Sequence, residues 1–296
     1  PKAELYAVAS RNQEKANEFA LKYGAKTAYS SYEQLANDPA IDVVYIATPH
    51  VFHCSNTIMC LEQGKHVLCE KPLGMSQQEV EKTTALAKEN NLFLMEGIWT
   101  RFHPSTQKVF DLINQGAIGQ ITHLRADFGF LAPYNEDGRL FNKALGGGSL
   151  LDIGLYPVFL SLLALGVPDK VFAKARFTKT GIDDWCQMRF EYSNGANANL
   201  ESTLSMKTPS EAYLVGTEGS IKVHSRFHES KCISLYKDGQ ETKFDFPFMG
   251  NGYVYEIDEV NTCLLKGYNE SPKLPLSFSL SLSQTLDRVC NSFKQE

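Results

Sequence analysis

Apolar residues in the first hundred positions fall into short continuous runs. These runs cover 5–9, 41–47 (broken only by Asp42), 67–69 and 92–95. Continuous runs of this length fill strands buried on both faces. Between them the period changes. Ala16, Phe19, Ala20 and Tyr23 recur at helical spacing over 12–23. Ala28-Tyr29 is a short extended piece, and Ser31 can cap a helix over 32–36. A helix over 55–63 ends at Gly64. Ser76 can cap another that runs to about residue 90 and turns Val80, Ala85 and Leu86 inward.

Strand and helix in alternation predict βαβ units in a parallel, doubly wound sheet. A dinucleotide domain of this kind opens with a strand and a GxGxxG turn. Neither is in the sequence, and Pro1 reads as the residue just before the second strand. About thirty residues of a βα unit are therefore expected ahead of it.

After about residue 101 the pattern alters. A helix is expected over 104–115 and an alternating strand over 122–130. A glycine-rich segment leads into a helix within 144–163. Strand-like runs follow at 171–178, 186–192, 196–202, 212–215, 221–224 and 233–236. Turn signals at Ser193-Asn194-Gly195 and Lys237-Asp238-Gly239 separate some of them. Helices over 255–265 and 279–293 close the chain. The fold class is thus α/β: an incomplete Rossmann domain over 1–101, then an α+β domain over 102–296 with a large, mostly antiparallel, open-faced sheet. The second domain is expected to carry substrate binding and oligomerisation. Runs 196–200 and 203–206 should present a mixed apolar face to a second copy, giving a homodimer.

Composition narrows the function. The net charge is −5 and the pI near 5.9, which argues against nucleic acid or an anionic membrane as main partner. The apolar runs are too short for a bilayer span. The seven cysteines include no CxxC pair, so reduced thiols in the cytoplasm fit better than disulfides or zinc. No metal site is expected.

Three places carry candidate chemistry. Val67-Leu68-Cys69 runs into Glu70-Lys71-Pro72, so a strand ends by delivering one ammonium at its carboxyl end, where ligands bind in such sheets. Pro72 restrains Lys71 toward an extended conformation. A surface lysine at a strand-to-loop junction would look the same. Ser10-Arg11 follows the first strand with no acid there; an arginine suits a ribose 2′-phosphate, so NADP is expected over NAD. Thr48, Pro49 and His50 end another strand and could line the cofactor. In Gly146-Gly147-Gly148-Ser149-Leu150-Leu151-Asp152-Ile153-Gly154-Leu155-Tyr156, a helix starting near Ser149 puts Asp152 and Tyr156 on one face. Both could reach one substrate hydroxyl, with Lys71 as the cation that lowers the tyrosine pKa. Alternatively Asp152 only favours the helix dipole and Tyr156 is core.

Glu70-Lys71-Pro72 after an apolar strand, with Leu-Asp-x-Gly-x-Tyr later, resembles the Gfo/Idh/MocA family of NAD(P)-dependent sugar and polyol oxidoreductases. Ala47-Thr48-Pro49 with His53, Gly64-Lys65-His66-Val67, residues 94–102 and Gly181-Ile182-Asp183-Asp184 add to the resemblance. It covers nearly the whole chain except the glycine-rich start. It implies catalytic roles for Lys71, Asp152 and Tyr156. It implies cofactor contacts from Ser10, Arg11, Thr48, Pro49, His50, His53, Glu70, Lys71, Pro72, Trp99 and Arg101. Trp99, Arg125, Asp152 and Tyr156 would meet the substrate, a vicinal diol or an aldose or polyol hydroxyl of the trans-dihydrodiol or D-xylose type. Two other outcomes fit the fold: a sugar oxidoreductase that retains and recycles NADP, and a cofactor-binding sensor without turnover. Loops 130–139 and 246–253 are expected to set the substrate.

Overall fold

The computed structural model describes residues 2–293; Pro1, read above as preceding a strand, lies outside them. Strands β1 (Ala7–Ala9) and β2 (Thr27–Tyr29) pair in parallel. Strands β3 (Val43–Ile46), β4 (His66–Glu70) and β5 (Leu94–Gly97) form a second parallel sheet in that order. No ladder joins the two sheets among the described residues. Helices α1 (Gln13–Tyr23), α2 (Tyr32–Asn37), α3 (His53–Glu62) and α4 (Gln77–Glu89) connect the strands.

Local chemistry explains the helix ends. Asn12, Ser31 and Ser76 each accept a backbone N–H from the first turn. Gly24 closes α1 at φ 76°. Burial departs from the expected faces in two helices. Ala16 and Ala20 are buried in α1, but Phe19 and Tyr23 are about half exposed and lie against each other with tilted rings, 4.4 Å between centroids. Only the small side chains fit beneath the helix, and the aromatics spread over its rim. In α4, Ala85 is exposed; Thr83, Thr84 and Ala87 face inward, both threonine hydroxyls donating to the Val80 carbonyl.

Helix α5 (Pro104–Asn114) leads to β6 (Ile121–Gly129). A π turn, Leu150–Gly154, runs into α6 (Leu155–Leu165). Then come β7 (Lys170–Phe177), β8 (Asp183–Glu191), β9 (Asn197–Thr203), β10 (Ala212–Gly216), β11 (Ser220–Val223), β12 (Cys232–Lys237) and β13 (Gln240–Asp245). Together with β6 they form one eight-stranded sheet, ordered β13-β12-β11-β10-β6-β9-β8-β7. Every pairing is antiparallel except β6 with β9. Strand β13 was not expected: Gln240-Glu241-Thr242-Lys243 has no apolar period. It forms because Asp238 and Gly239, at φ 51° and 74°, close a tight hairpin onto β12.

Helix α6 covers the inner sheet face. Leu155, Phe159 and Val158 are fully buried against Leu124, Ala126, Ala198, Leu200, Met188 and Phe190. Burying each large side chain is worth about 1.5–3 kcal/mol. The helical run Lys143–Leu165 is long and apolar enough to cross a membrane by length and composition, contrary to the sequence expectation; 78% of its window is buried inside the protein. Strand alternation also corrects the expected apolar outer face. Ala196, Ala198, Leu200 and Leu204 are buried, so Asn199 and Arg125 are left outside on β9 and β6.

The last helices, α7 (Val254–Leu265) and α8 (Leu276–Ser292), return to the first half. Helix α8 packs on α4 and β5 as well as α6 and β7. The approach of α6 to the sheet depends on Gly154. A Cβ there would lie 2.7 Å from Ser202 Oγ and 3.1 Å from its Cβ, and neither can retreat because Ser202 sits in β9. Gly154→Ala is expected to cost about 1–3 kcal/mol, read as a lower urea midpoint. An unchanged midpoint would mean the contact is not close-packed.

Candidate active site

Strand β4 ends at Glu70, and Lys71 leaves it through a cis bond to Pro72. Two buried side chains fix this corner. His53 places Nδ1 2.7 Å from the Pro72 carbonyl and Nε2 2.7 Å from the Thr48 carbonyl. The Leu73 N–H donates to Glu96 Oε1 at 2.9 Å. His53 thus ties the ends of β3 and β4 together. Glu70 accepts a hydrogen bond from Tyr45.

The lysine reaches across to the π turn. Lys71 Nζ donates to the Asp152 backbone carbonyl at 2.5 Å and to Asp152 Oδ1 at 3.2 Å. It also lies 5.3 Å over the Tyr156 ring. Trp99 Nε1–H donates to the Tyr156 hydroxyl at 3.0 Å. So Lys71, Asp152, Tyr156 and Trp99 meet at the carboxyl ends of β4 and β5.

Two further groups complete the carboxylate's surroundings. Arg139 donates to Asp152 Oδ1 at 2.9 Å. His50 Nε2 is 3.8 Å from the same oxygen, while its Nδ1 is 3.1 Å from the Gly146 carbonyl. Burial alone would raise the Asp152 pKa, but Lys71 and Arg139 outweigh it and hold the carboxyl at about 2. Burial, and then the Lys71 charge, pulls His50 down to about 4. The imidazole is therefore neutral at pH 7.

Tyr156 corrects one expectation. Burial, with the Glu70 charge adding to it, pushes its phenol well above the ordinary value, and the Trp99 bond opposes that. Lys71 faces the ring, spends its hydrogen bonds on Asp152, and is not what lowers the phenol.

Other expected residues are dispersed. Ser10 accepts from the Asn12 N–H, and Arg11 lies 5.8 Å over the Phe52 ring at the end of β1. The Thr48 hydroxyl accepts from Asn56. Arg101 does not face the site: its Nε–H donates to the Lys273 carbonyl, and its guanidinium lies over Phe110. The short helical turn Trp99–Phe102 sends Trp99 and Arg101 in different directions. Arg125 is also not brought in. On β6 it is exposed, whereas Phe128, of opposite parity, contacts Tyr156.

Sequence reasoning missed Arg139, His228 and Tyr253. Tyr253 stacks on Trp99 at 4.4 Å, and His228 stacks on Phe128 at 4.1 Å, beside Tyr156. Only Arg139 and Tyr253 carried a signal, being in or next to the two loops expected to set the substrate.

Comparison with known proteins now bears on this arrangement. Residues 1–98 match the family model of Gfo/Idh/MocA oxidoreductases with an NAD-binding Rossmann fold, and residues 106–222 match a Gfo/Idh/MocA C-terminal domain. The chain belongs to the Gfo/Idh/MocA family. Its relatives include trans-1,2-dihydrobenzene-1,2-diol dehydrogenases. That of Xenopus laevis is 40% identical over 97% of this chain and 88% of the relative. The human enzyme is 35% identical over 97% and 87%. KijD10, a 3-ketoreductase from Actinomadura kijaniata solved with NADP and TDP-benzene, is 26% identical with a TM-score of 0.87, over 98% of this chain and 89% of that one. An aldose-aldose oxidoreductase from Caulobacter crescentus shares the fold at 24% identity and a TM-score of 0.89, over 99% and 90%. This Gfo/Idh/MocA chain is an NAD(P)-dependent oxidoreductase.

The wall behind Trp99 holds a second buried imidazole. Neither His103 ring nitrogen has a hydrogen-bond partner, and neither does His228 Nδ1. Burial pulls His103 to about 4, and the nearby Gly252 and His228 backbone opposes this without closing a hydrogen bond. Burial, then Arg226, pulls His228 to about 3. The unfolded chain takes up these protons from about pH 6.5 downward, and the folded one only below about 4. Stability should therefore fall as pH drops from 6.5 to 4. His103→Phe removes two desolvated, unpartnered nitrogens from an aromatic wall. It should stabilise the fold by about 1–3 kcal/mol, read as a higher urea midpoint, and flatten that pH dependence. A lower midpoint at pH 7 would mean that the imidazole has a partner.

Proposed function

We propose that this enzyme is an NADP-dependent dehydrogenase that oxidises a vicinal diol or an aldose hydroxyl. The convergence of Lys71, Asp152, Tyr156 and Trp99 at the ends of β4 and β5 supports this most directly. Flat walls from Trp99, Tyr253 and Phe128 beside Tyr156 suit the carbon face of a ring. The relatives named above act on a cyclic diol by name, and the shared fold extends to an aldose oxidoreductase.

The donor set fits the cofactor. Arg11 lies over Phe52 at the end of β1, with no acid in the sequence at that strand end, where a 2′-phosphate would be met. Thr48, His50, Glu70 and Lys71 line the adjoining strand ends. Bound there, the nicotinamide supplies hydride transfer. The protein handles the proton. Tyr156 is a phenol in this state, and its hydroxyl proton is available to a carbonyl oxygen. In the oxidising direction the same oxygen must first lose that proton. The Trp99 N–H then steadies the tyrosinate, and the Lys71 charge acts on the substrate oxygen. Asp152 holds Lys71 in place, and Arg139 adds positive charge where an alkoxide develops.

Lys71→Met should lower kcat by about 10²–10³-fold, the scale of losing one electrostatic stabiliser, with NADP affinity little changed. Tyr156→Phe should remove a limb of the pH–rate profile if the phenol carries the proton, and raise KM with the limb intact if it only orients substrate. Near-normal turnover of Lys71→Met would overturn the assignment. For the cofactor, Arg11→Ala should weaken NADP by about 1.5–3 kcal/mol and leave NAD unaffected. An unchanged NADP-to-NAD preference would sink that part.

The open sheet also supports a homodimer. Its outer face is uncovered and more polar than the sequence suggested, with Phe172 and Met206 as exposed apolar residues near one edge. Light scattering at micromolar concentration should give twice the chain mass; a monomer mass counts against it. A cytoplasmic location is part of the same proposal and rests on the sequence, whose seven cysteines include no CxxC pair.

A further inference from the structure

We propose that Asp183 is a positioning residue for this reaction: from the start of β8 it caps the π turn and so fixes the Asp152 carbonyl and carboxylate on Lys71. The inference rests on the roles proposed for Lys71, Asp152 and Tyr156. Asp183 Oδ2 accepts two hydrogen bonds at 2.7 Å, from the Ser149 hydroxyl and from the Leu150 N–H. Those residues open the π turn, and the Leu150 N–H is one of the donors a helix start leaves unpaired. Ser149 Oγ is also 3.0 Å from Ser202 Oγ on β9. The turn is thus nailed to two neighbouring strands at its first residue.

The backbone is shaped for this carboxylate. Gly148 has φ 131°, and a Cβ there would stand 2.4 Å from Asp183 Oδ1. No residue with a side chain could approach Asp183 so closely. Three residues after Ser149 comes Asp152, whose backbone carbonyl and carboxylate both accept hydrogen bonds from Lys71. A π turn spaces its residues differently from an α-helix and recurs at functional sites. Losing its cap would let the turn relax toward α-helical spacing and carry the Asp152 carbonyl off the lysine. Asp183 touches no reacting group itself, so its effect passes through Ser149 and Leu150.

The carboxylate's own chemistry makes the role measurable. Burial pushes Asp183 up to about 6, with the Ser149 and Leu150 bonds opposing. The charged or titratable groups around it are accounted for elsewhere. Asp184 pairs with Arg176 of β7, Glu201 of β9 accepts from Trp185, Cys186 is buried on β8, and Lys143 lies beside Gly181. None of these hydrogen-bonds or ion-pairs with the Asp183 carboxylate among the described residues. Within the site, Asp152 and His50 titrate well below pH 6.

The test measures kcat against pH for the full-length enzyme with NADP and either D-xylose or trans-1,2-dihydrobenzene-1,2-diol. NADP binding is followed separately by tryptophan fluorescence. The wild-type enzyme should lose kcat through a limb near pH 6, where Asp183 takes up its proton. Asp183→Asn should lower kcat about 10–100-fold and abolish that limb, with NADP affinity within about two-fold. Ser149→Ala deletes one bond to the charged carboxylate and should move the limb to higher pH. Asp183→Asn with wild-type kcat and an unmoved limb would overturn the proposal. If that variant does not fold, an unmoved limb in Ser149→Ala does so instead. Lys71→Met, run alongside, separates the two levels. An active Lys71→Met enzyme overturns the site reading and this inference together. An inactive one beside a normal Asp183→Asn enzyme overturns the positioning role alone.

Discussion

The ion pair between Lys71 and Asp152 joins the two halves of the molecule. One partner ends a parallel strand and the other sits in the turn that opens the helix covering the large sheet. Both side chains are largely out of water, at 12% and 7% exposure. Desolvating two charges is costly, and geometry must return the cost. The geometry here is fixed from both sides. His53 and Glu96 hold the Lys71-Pro72-Leu73 corner, and Ser149, Ser202 and Asp183 hold the turn. The backbone carbonyl of Asp152 adds a second acceptor for the same ammonium, so the lysine's position is set by two atoms.

Around that pair the charges are unequal. One carboxylate faces two cations, Lys71 and Arg139, with a neutral His50 beside it. That side is positive, whereas Glu70 adds negative charge at the phenol, which burial keeps protonated. The two cations suit a substrate oxygen that gains negative charge as its proton leaves. Arg139 is the exposed member: its side chain is 59% exposed, while the lysine and the carboxylate are enclosed. The neutral imidazoles of His103 and His228 line the far wall and contribute polarity without charge.

Much of this was legible in the chain. Continuous apolar runs at short intervals determined the parallel strands, because a strand buried on both faces needs apolar side chains throughout. The Ser31 and Ser76 caps marked helix starts within a residue, since capping is a local hydrogen bond. Lys71, Asp152 and Tyr156 were found by their local frames, a proline after a strand end and glycines before a helix. What the sequence could not carry was any relation between distant residues. That Lys71 bonds to Asp152 rather than to the Tyr156 hydroxyl was decided by how β4 and α6 cross. Arg125 looked eligible until strand parity turned it to the outer face, and Arg101 until a short helical turn pointed it at Lys273. Strand β13 has no periodic signal and exists through its hairpin partner. Arg139 and Tyr253 lie in loops expected to set the substrate but had no signal of their own, and His228 stands in unremarkable local sequence. Only packing brings them within reach of the site, because burial and proximity belong to the folded chain and not to any stretch of it.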